Sequence, residues 1–187
     1  MTRRLLLSLA CLALFLAVSP ARAQAPPNHD AALPTIAEAE SLALEAETLA
    51  TRMEVTLTVL QAATSHGLPA DVGMAVLAVS ERYGLDPLLV CRVIEIESDW
   101  DPGAVSRSGA VGLMQVMSGT AAAMGFDPAR LTEAEYNIEA GCRYLAEMVA
   151  RFGLTAGLVA YNEGPRDVGR GSRSEYSAAV LQADADD

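Results

Sequence analysis

One carboxylate is set apart by its spacing. Glu97 lies seven residues after Val90, four after Val93 and three after Ile94. On a helix those intervals place it on the apolar stripe, whereas Glu95 falls on roughly the opposite side. A Gly-rich stretch follows, with Gly103, Gly109 and Gly112. A carboxyl at the edge of an apolar face is partly desolvated, which raises its pKa and keeps it protonated as a general acid near neutral pH. The same placement also suits a core-boundary glutamate paired with an arginine such as Arg92 or Arg107. Other chemistries have little to work with. The histidines are His29 and His66, and the cysteines are Cys11, Cys91 and Cys142. That is too few for a His-rich metal site or a Ser-His-Asp triad, so no metal and no cofactor is expected.

Glu97 must be held by a packed scaffold, and the composition says of what kind. The 187 residues bound the chain at one or two small domains, enough to bury a core without disulfide staples. About half the residues are apolar and aromatics are 5%, which favours packed helices over a sheet. The formal net charge is −11, the basic residues all being arginine. Nucleic acid is therefore excluded as the main partner, since phosphate binding wants a basic surface.

Residues 1–23 have the layout of a cleaved secretory signal peptide. Arg3 and Arg4 precede an apolar run from Leu5 to Val18, and Ala21-Arg22-Ala23 supplies a small-x-small site. The run is shorter than the ~20 residues of a membrane span, and Cys11 sits too deep in it to suggest lipidation. Loss of this segment removes three arginines and no acid, taking the charge to −14. Export implies the periplasm and an oxidising setting, in which Cys91 and Cys142 either pair or remain two small buried thiols.

Residues 24–34 read as a flexible lead-in, and 35–70 as an N-terminal helical extension. Its helix, over about Thr35–Thr64, presents Leu42, Leu49, Met53, Leu57 and Leu60 near one face and ends at His66-Gly67-Leu68-Pro69. Packing of this face on the main domain is the simpler reading, and partner binding the sharper one. Further helices are expected over Ala70–Arg82, Pro87–Ser98 (capped by Asp86), about Gly112–Met124, from Asn137 onward, Thr155–Asn162 and Ser174–Leu181. Asn137 is expected as an N-cap, Thr132 and Glu135 have capping-box spacing, and Ile138, Cys142, Leu145, Val149 and Phe152 form the core face. No strand is expected, and residues 182–187 should fray.

Three blocks then narrow the reading. Glu97-Ser98-Asp99-Trp100-Asp101-Pro102-Gly103-Ala104-Val105-Ser106 with Gly109-Ala110-Val111-Gly112-Leu113-Met114-Gln115-Val116-Met117 closely resembles the signature of the soluble lytic transglycosylase family. Asn137-Ile138-Glu139-Ala140-Gly141-Cys142-Arg143-Tyr144-Leu145 and Ala160-Tyr161-Asn162-Glu163-Gly164-Pro165 resemble its later blocks, in the same order. The resemblance spans about residues 71–181. It implies an all-α, lysozyme-like domain with a groove for peptidoglycan glycan strands, preceded here by an extra helix. It implies cleavage of the β-1,4 bond between N-acetylmuramic acid and N-acetylglucosamine, leaving 1,6-anhydromuramyl ends, with Glu97 as acid and then base. A lone catalytic glutamate fits such chemistry, because an ordinary glycosidase needs two carboxylates.

By position the resemblance also implies substrate-binding roles. Ser98 would orient the glutamate, Ser106 and Gln115 would face the groove, Met114 would line sugar subsites, and Tyr161 and Asn162 would form the groove wall. Met114 and Met117 also suit simple core packing, and Tyr144 reads as a packing residue. The departures are Ser118 where the family has Pro, Glu163 where Ala is common and Arg166 where Gly is common. The serine should loosen a turn, and Glu163 adds an acid near the groove. Two readings compete with the lyase. One is a lysozyme-type hydrolase using Glu163 as second carboxylate. The other is a glycan-binding or assembly module whose residues 35–64 recruit a partner, such as a secretion, conjugation or flagellar apparatus. Oligomeric state is not legible.

Overall fold

The structure, a computed structural model, describes residues 35–166, 168 and 175–182. The segments expected as signal peptide (1–23) and lead-in (24–34), and most of the C-terminal tail, lie outside the described residues. The chain divides into two units, Met1–Val55 and Thr56–Asp187. Helix α1 (Ile36–Ser65) begins in the first and ends in the second. Its first turn is closed by a reciprocal Thr35–Glu38 capping box: the Thr35 amide donates to Glu38 Oε2 at 2.7 Å and the Glu38 amide donates to Thr35 Oγ1 at 3.3 Å. The expected apolar face is not the buried one. Leu42, Leu49, Met53 and Leu57 are exposed, and burial falls on Val59 and Ala63 in the last two turns.

Among its described residues the second unit is all-α apart from one small hairpin. After α1 come α2 (Ala70–Tyr83), α3 (Pro87–Ser98), β1 (Ala110–Val111), β2 (Val116–Met117), α4 (Ser118–Ala123), a 3-10 turn at Pro128–Arg130, α5 (Ala134–Phe152), α6 (Leu154–Glu163) and α7 (Glu175–Gln182). Helices α2, α3, α6 and α7 start and stop within about a residue of the sequence expectation. Their punctuation explains this. The Asp86 side chain accepts from the Leu88 amide and Pro87 occupies the first helical position. Gly84 ends α2 in a left-handed conformation.

Helix α5 runs through the centre of this unit and packs on α2 and α6. Its face of Ile138, Ala140, Cys142, Leu145 and Met148 is buried, with Val149 and Phe152 half-buried at its end. Each fully buried Leu or Ile there contributes on the order of 2 kcal/mol. Polar pins fix the α2–α5 pairing: Glu139 accepts from the Tyr83 hydroxyl at 2.7 Å and pairs with Arg82. Cys91 and Cys142 are both buried free thiols. Burial pushes Cys91 up to about 12 and Cys142 likewise upward, so neither presents a thiolate at neutral pH.

Three expectations are corrected here. The helix expected over Gly112–Met124 is helical only from Ser118 to Ala123. Its first half is the turn and second strand of an antiparallel hairpin pairing Ala110 with Met117 and Val111 with Val116. Asn137 is not a cap. It is wholly buried one turn inside α5, and its amide nitrogen donates to the carbonyls of Val111 and Leu131, both at 2.8 Å. Its side-chain oxygen accepts from the Met114 amide at 2.8 Å. The bond to Val111 takes the carbonyl that would accept the first internal bond of a helix beginning at Gly112. The Thr132–Glu135 capping box does not form either. Glu133 is the N-cap without a side-chain cap bond, and its carboxylate binds Arg130 at 2.6 and 2.9 Å. Ser118, where the family has Pro, is the first residue of α4. Proline is merely favoured there for its preset φ, so serine costs little.

Gly112 shows how tight this packing is. Its φ is +78°, and a Cβ would lie 2.4 Å from Asn137 Nδ2 and 2.5 Å from the Leu131 carbonyl oxygen. Replacing Asn137 by Ala leaves two carbonyls and an amide unsatisfied, at roughly 1–3 kcal/mol each. Asn137→Ala should therefore lower the unfolding free energy by about 3 kcal/mol or more, read from urea denaturation. A loss under about 1 kcal/mol would mean that water replaces the amide.

Candidate active site

Glu97 sits in the last turn of α3, half-buried, with Glu95 exposed as the helical spacing requires. Burial raises its pKa, while the Tyr176 hydroxyl and the Asn162 side chain favour the anion and pull it back. Burial is the larger influence, so the net direction is upward. Asn162 comes from α6 and Tyr176 from α7. The carboxyl at the end of one helix is thus met by two neutral polar groups from two others. The Tyr176 hydroxyl is buried and makes no standard hydrogen bond within the protein. Burial and the neighbouring Glu97 charge push its own pKa up.

The backbone beyond Glu97 is unusual. Asp99 and Trp100 both have positive φ, 51° and 60°. Non-glycine residues there carry about 1–3 kcal/mol of strain each and need outside support. Trp100 has it, being 2% exposed and stacked on His66, with ring centroids 5.9 Å apart. The Asp99 carboxylate faces His66 Nε2 at 3.6 Å. The turn after Glu97 is therefore held from the far end of α1.

Most of the other residues singled out in the sequence act as braces of the backbone. Ser98 Oγ donates to the carbonyls of Leu113 at 2.8 Å and Ile94 at 3.1 Å, tying the end of α3 to the hairpin turn. Ser106 Oγ accepts from the Ala110 amide at 3.0 Å. Gln115, at φ 47°, donates from Nε2 to the Gly112 and Ala104 carbonyls at 3.0 and 3.2 Å. Met114 is fully buried, its sulfur 3.8 Å from Cys142 Sγ, and a Cβ on Gly141 would lie 2.5 Å from that sulfur. The core alternative weighed for Met114 is the arrangement seen, leaving it no surface to offer a sugar. Tyr161 is buried, and its hydroxyl donates to the Met114 carbonyl at 2.6 Å. Asn162 alone of this set is exposed. Tyr144 is half-buried with its ring 5.4 Å from that of Tyr161. Tyr176 was not singled out in the sequence. Its signal was only a lone aromatic in a short C-terminal helix, 79 positions from the glutamate it meets. Among the described residues no cluster of His, Cys, Asp or Glu could hold a metal ion.

Residues 74–182 match the family model described as the transglycosylase SLT domain. The chain belongs to that family. Among curated relatives, the transglycosylase of Enterobacteria phage PRD1 is 36% identical over 111 residues, covering 56% of this chain and 40% of the phage protein. The membrane-bound lytic murein transglycosylase C of Edwardsiella ictaluri is 46% identical over 76 residues, covering 36% of this chain and 21% of that protein. The chain thus spans 40% or less of the length of these relatives. Among solved structures, the 70 kDa soluble lytic transglycosylase of Escherichia coli aligns with a TM-score of 0.44 at 32% identity, covering 49% of this chain and 17% of that one. An inactive mutant of lytic transglycosylase Slt from Pseudomonas aeruginosa aligns with a TM-score of 0.49 at 23% identity, covering 58% and 20%.

Two predictions follow from the titration of this SLT-family glutamate. A folded-state pKa raised above the ordinary 4.5 means that stability is full below 4.5 and is lost as pH rises through the shifted value. Glu97→Gln should therefore melt higher than the parent at pH 7, with the gain vanishing near pH 4. A constant difference across that window would show that Glu97 titrates normally. Tyr176→Phe removes a group that favours the anion, so the Glu97 carboxyl should titrate at still higher pH, as followed by carbon NMR of its side chain. An unchanged or lower titration point would place the hydroxyl away from Glu97.

Proposed function

We propose that this protein is a peptidoglycan lytic transglycosylase whose acid and base is Glu97. The observation that carries the reading is a half-buried carboxyl with a raised pKa, held among neutral polar groups within an SLT domain. Protonated Glu97 delivers its proton to the oxygen linking N-acetylmuramic acid to N-acetylglucosamine, and the C1–O bond breaks. The muramyl C1 becomes cationic and is stabilised by the substrate's own 2-acetamido group or as an oxocarbenium ion. The same sugar's C6 hydroxyl then attacks C1 and returns its proton to Glu97. No water is consumed, and the glutamate ends as it began. Asn162 and Tyr176 steady the carboxylate between the two transfers, since both favour the anion. General acid–base catalysis of this kind contributes typically ~10²–10⁴-fold.

The substrate-binding set proposed from the sequence divides by what each side chain touches. Asn162 reaches the reacting carboxyl, while Ser98, Ser106, Gln115 and Tyr161 shape the backbone around it. The catalytic region is placed at residues 71–181, after a helical extension at 35–70. Export through residues 1–23 to the periplasm agrees with the membrane-bound lytic murein enzymes among the relatives. The phage relative is in keeping with service to an envelope-spanning secretion, conjugation or flagellar machine.

Mass spectrometry of muropeptides released from purified sacculi tests the reaction. The parent should release ends lighter by one water than hydrolysed ends. Glu97→Gln should be slowed by at least about a hundredfold while remaining folded. Ordinary reducing ends would instead establish a lysozyme-type hydrolase. Full turnover by the variant would remove Glu97 from the mechanism.

A further inference from the structure

Helix α1 carries an apolar stripe that its own chain leaves exposed. Leu42, Leu49 and Met53 are each more than half exposed, as are Ile36 and Leu57 at the two ends of the stripe. Full burial along this helix begins only at Val59. The spacing is that of a helix–helix seam. Leu42, Ala46, Leu49 and Met53 follow one another at intervals of four, three and four, the alternation with which one helix meets another along its length. Ile36 and Leu57 flank the seam on one side, and Glu45 and Arg52 flank it on the other. Glu40, Glu47 and Glu54, seven apart, line up away from it. Leu44 is the one exposed large apolar residue of α1 that falls on the opposite side.

Both charge and size are self-complementary about one point of this stripe. Glu45 and Arg52 are two turns apart, about 10 Å along the axis, too far to pair with each other in one helix. Two copies laid antiparallel, with the two-fold axis between residues 47 and 48, bring Glu45 of each opposite Arg52 of the other. The same register sets Leu42 against Met53, Ile36 against Leu57, and the small Ala46 against Leu49. A parallel pair has no such match, since Glu45 would then lie beside Ala50 and Arg52 beside Leu57. The five large apolar side chains of each copy together offer on the order of 1,000 Å² to a shared interface, the size at which a specific contact begins. Five glutamates against one arginine over residues 36–57 disfavour an anionic membrane surface as the occupant.

We propose that α1 is a self-association element whose residues 36–57 pair antiparallel with the same residues of a second copy of this chain. The pairing is independent of the reaction assigned to Glu97, so either reading can fail without the other. Sedimentation equilibrium of residues 24–187, the form proposed to be exported, tests it. A monomer–dimer equilibrium with a dissociation constant on the order of 10 μM is expected from an interface at the small end of the specific range. Leu49→Glu puts an acid into the seam twice and should weaken association at least about a hundredfold, with helix content unchanged by circular dichroism. Glu45→Arg sets like charges against each other at two points and should weaken it about tenfold. That substitution lowers the net negative charge, so general repulsion cannot be the cause of the weakening. Adding Arg52→Glu to Glu45→Arg should restore the parent value. A chain that stays monomeric up to about 0.5 mM, well above the expected constant, would overturn the proposal. So would a dimer indifferent to Leu49→Glu or to Glu45→Arg, or one that the double variant fails to restore. A monomer that binds vesicles of phosphatidylglycerol and phosphatidylethanolamine, and loses that binding in Leu49→Glu, would also overturn it by assigning the stripe to a bilayer.

Discussion

The buried amide of Asn137 is the contact on which the site depends. A single side chain bonds Val111, Met114 and Leu131, three backbone points on two separate loops, and does so with no access to water. An unmade bond there costs the full desolvation of its partner, so the hairpin turn has one arrangement. The Leu113 carbonyl in that turn then receives Ser98, the residue after Glu97. The Met114 carbonyl receives Tyr161, the residue before Asn162. Both flanks of the carboxyl site are in this way referred to one fixed loop, itself referred to the middle of α5.

This arrangement separates positioning from chemistry. Most of the polar residues in the signature blocks are occupied with backbone groups of their own domain, which leaves few free to meet a substrate. Among the described residues, what acts on the Glu97 carboxyl is burial, one amide and one phenol. Such surroundings suit a carboxyl that gains and loses a proton, the role proposed for Glu97. A nearby arginine would hold it ionised, and a second carboxylate would compete for its proton. The strained pair Asp99–Trp100 turns the chain sharply away from the helix end. The strain is supported by a buried indole packed on His66, so the residue that follows α1 contributes to the site's rigidity.

The protein is strongly acidic, so long-range attraction would not assist binding of the anionic polymer proposed as its substrate.

The sequence alone determined the elements whose signals are local. Helical spacing put Glu97 at the edge of an apolar face, and Asp86-Pro87 and Gly84 fixed helix ends, because a cap or a left-handed glycine acts on its own neighbours. The ordered signature blocks gave the family. Tertiary structure decided everything that turns on distant partners. Asn137 looks like a cap until a loop 26 residues away supplies better acceptors, and that loop reads as helix until its backbone is claimed from outside. Met114 could be ligand or core until Gly141 leaves it a slot. Tyr176 has no signal in its own segment, since what matters is which carboxyl its hydroxyl meets. Local propensity is worth tenths of a kcal/mol per residue, whereas a buried unsatisfied polar group costs several times more. Where the two conflict, long-range satisfaction wins.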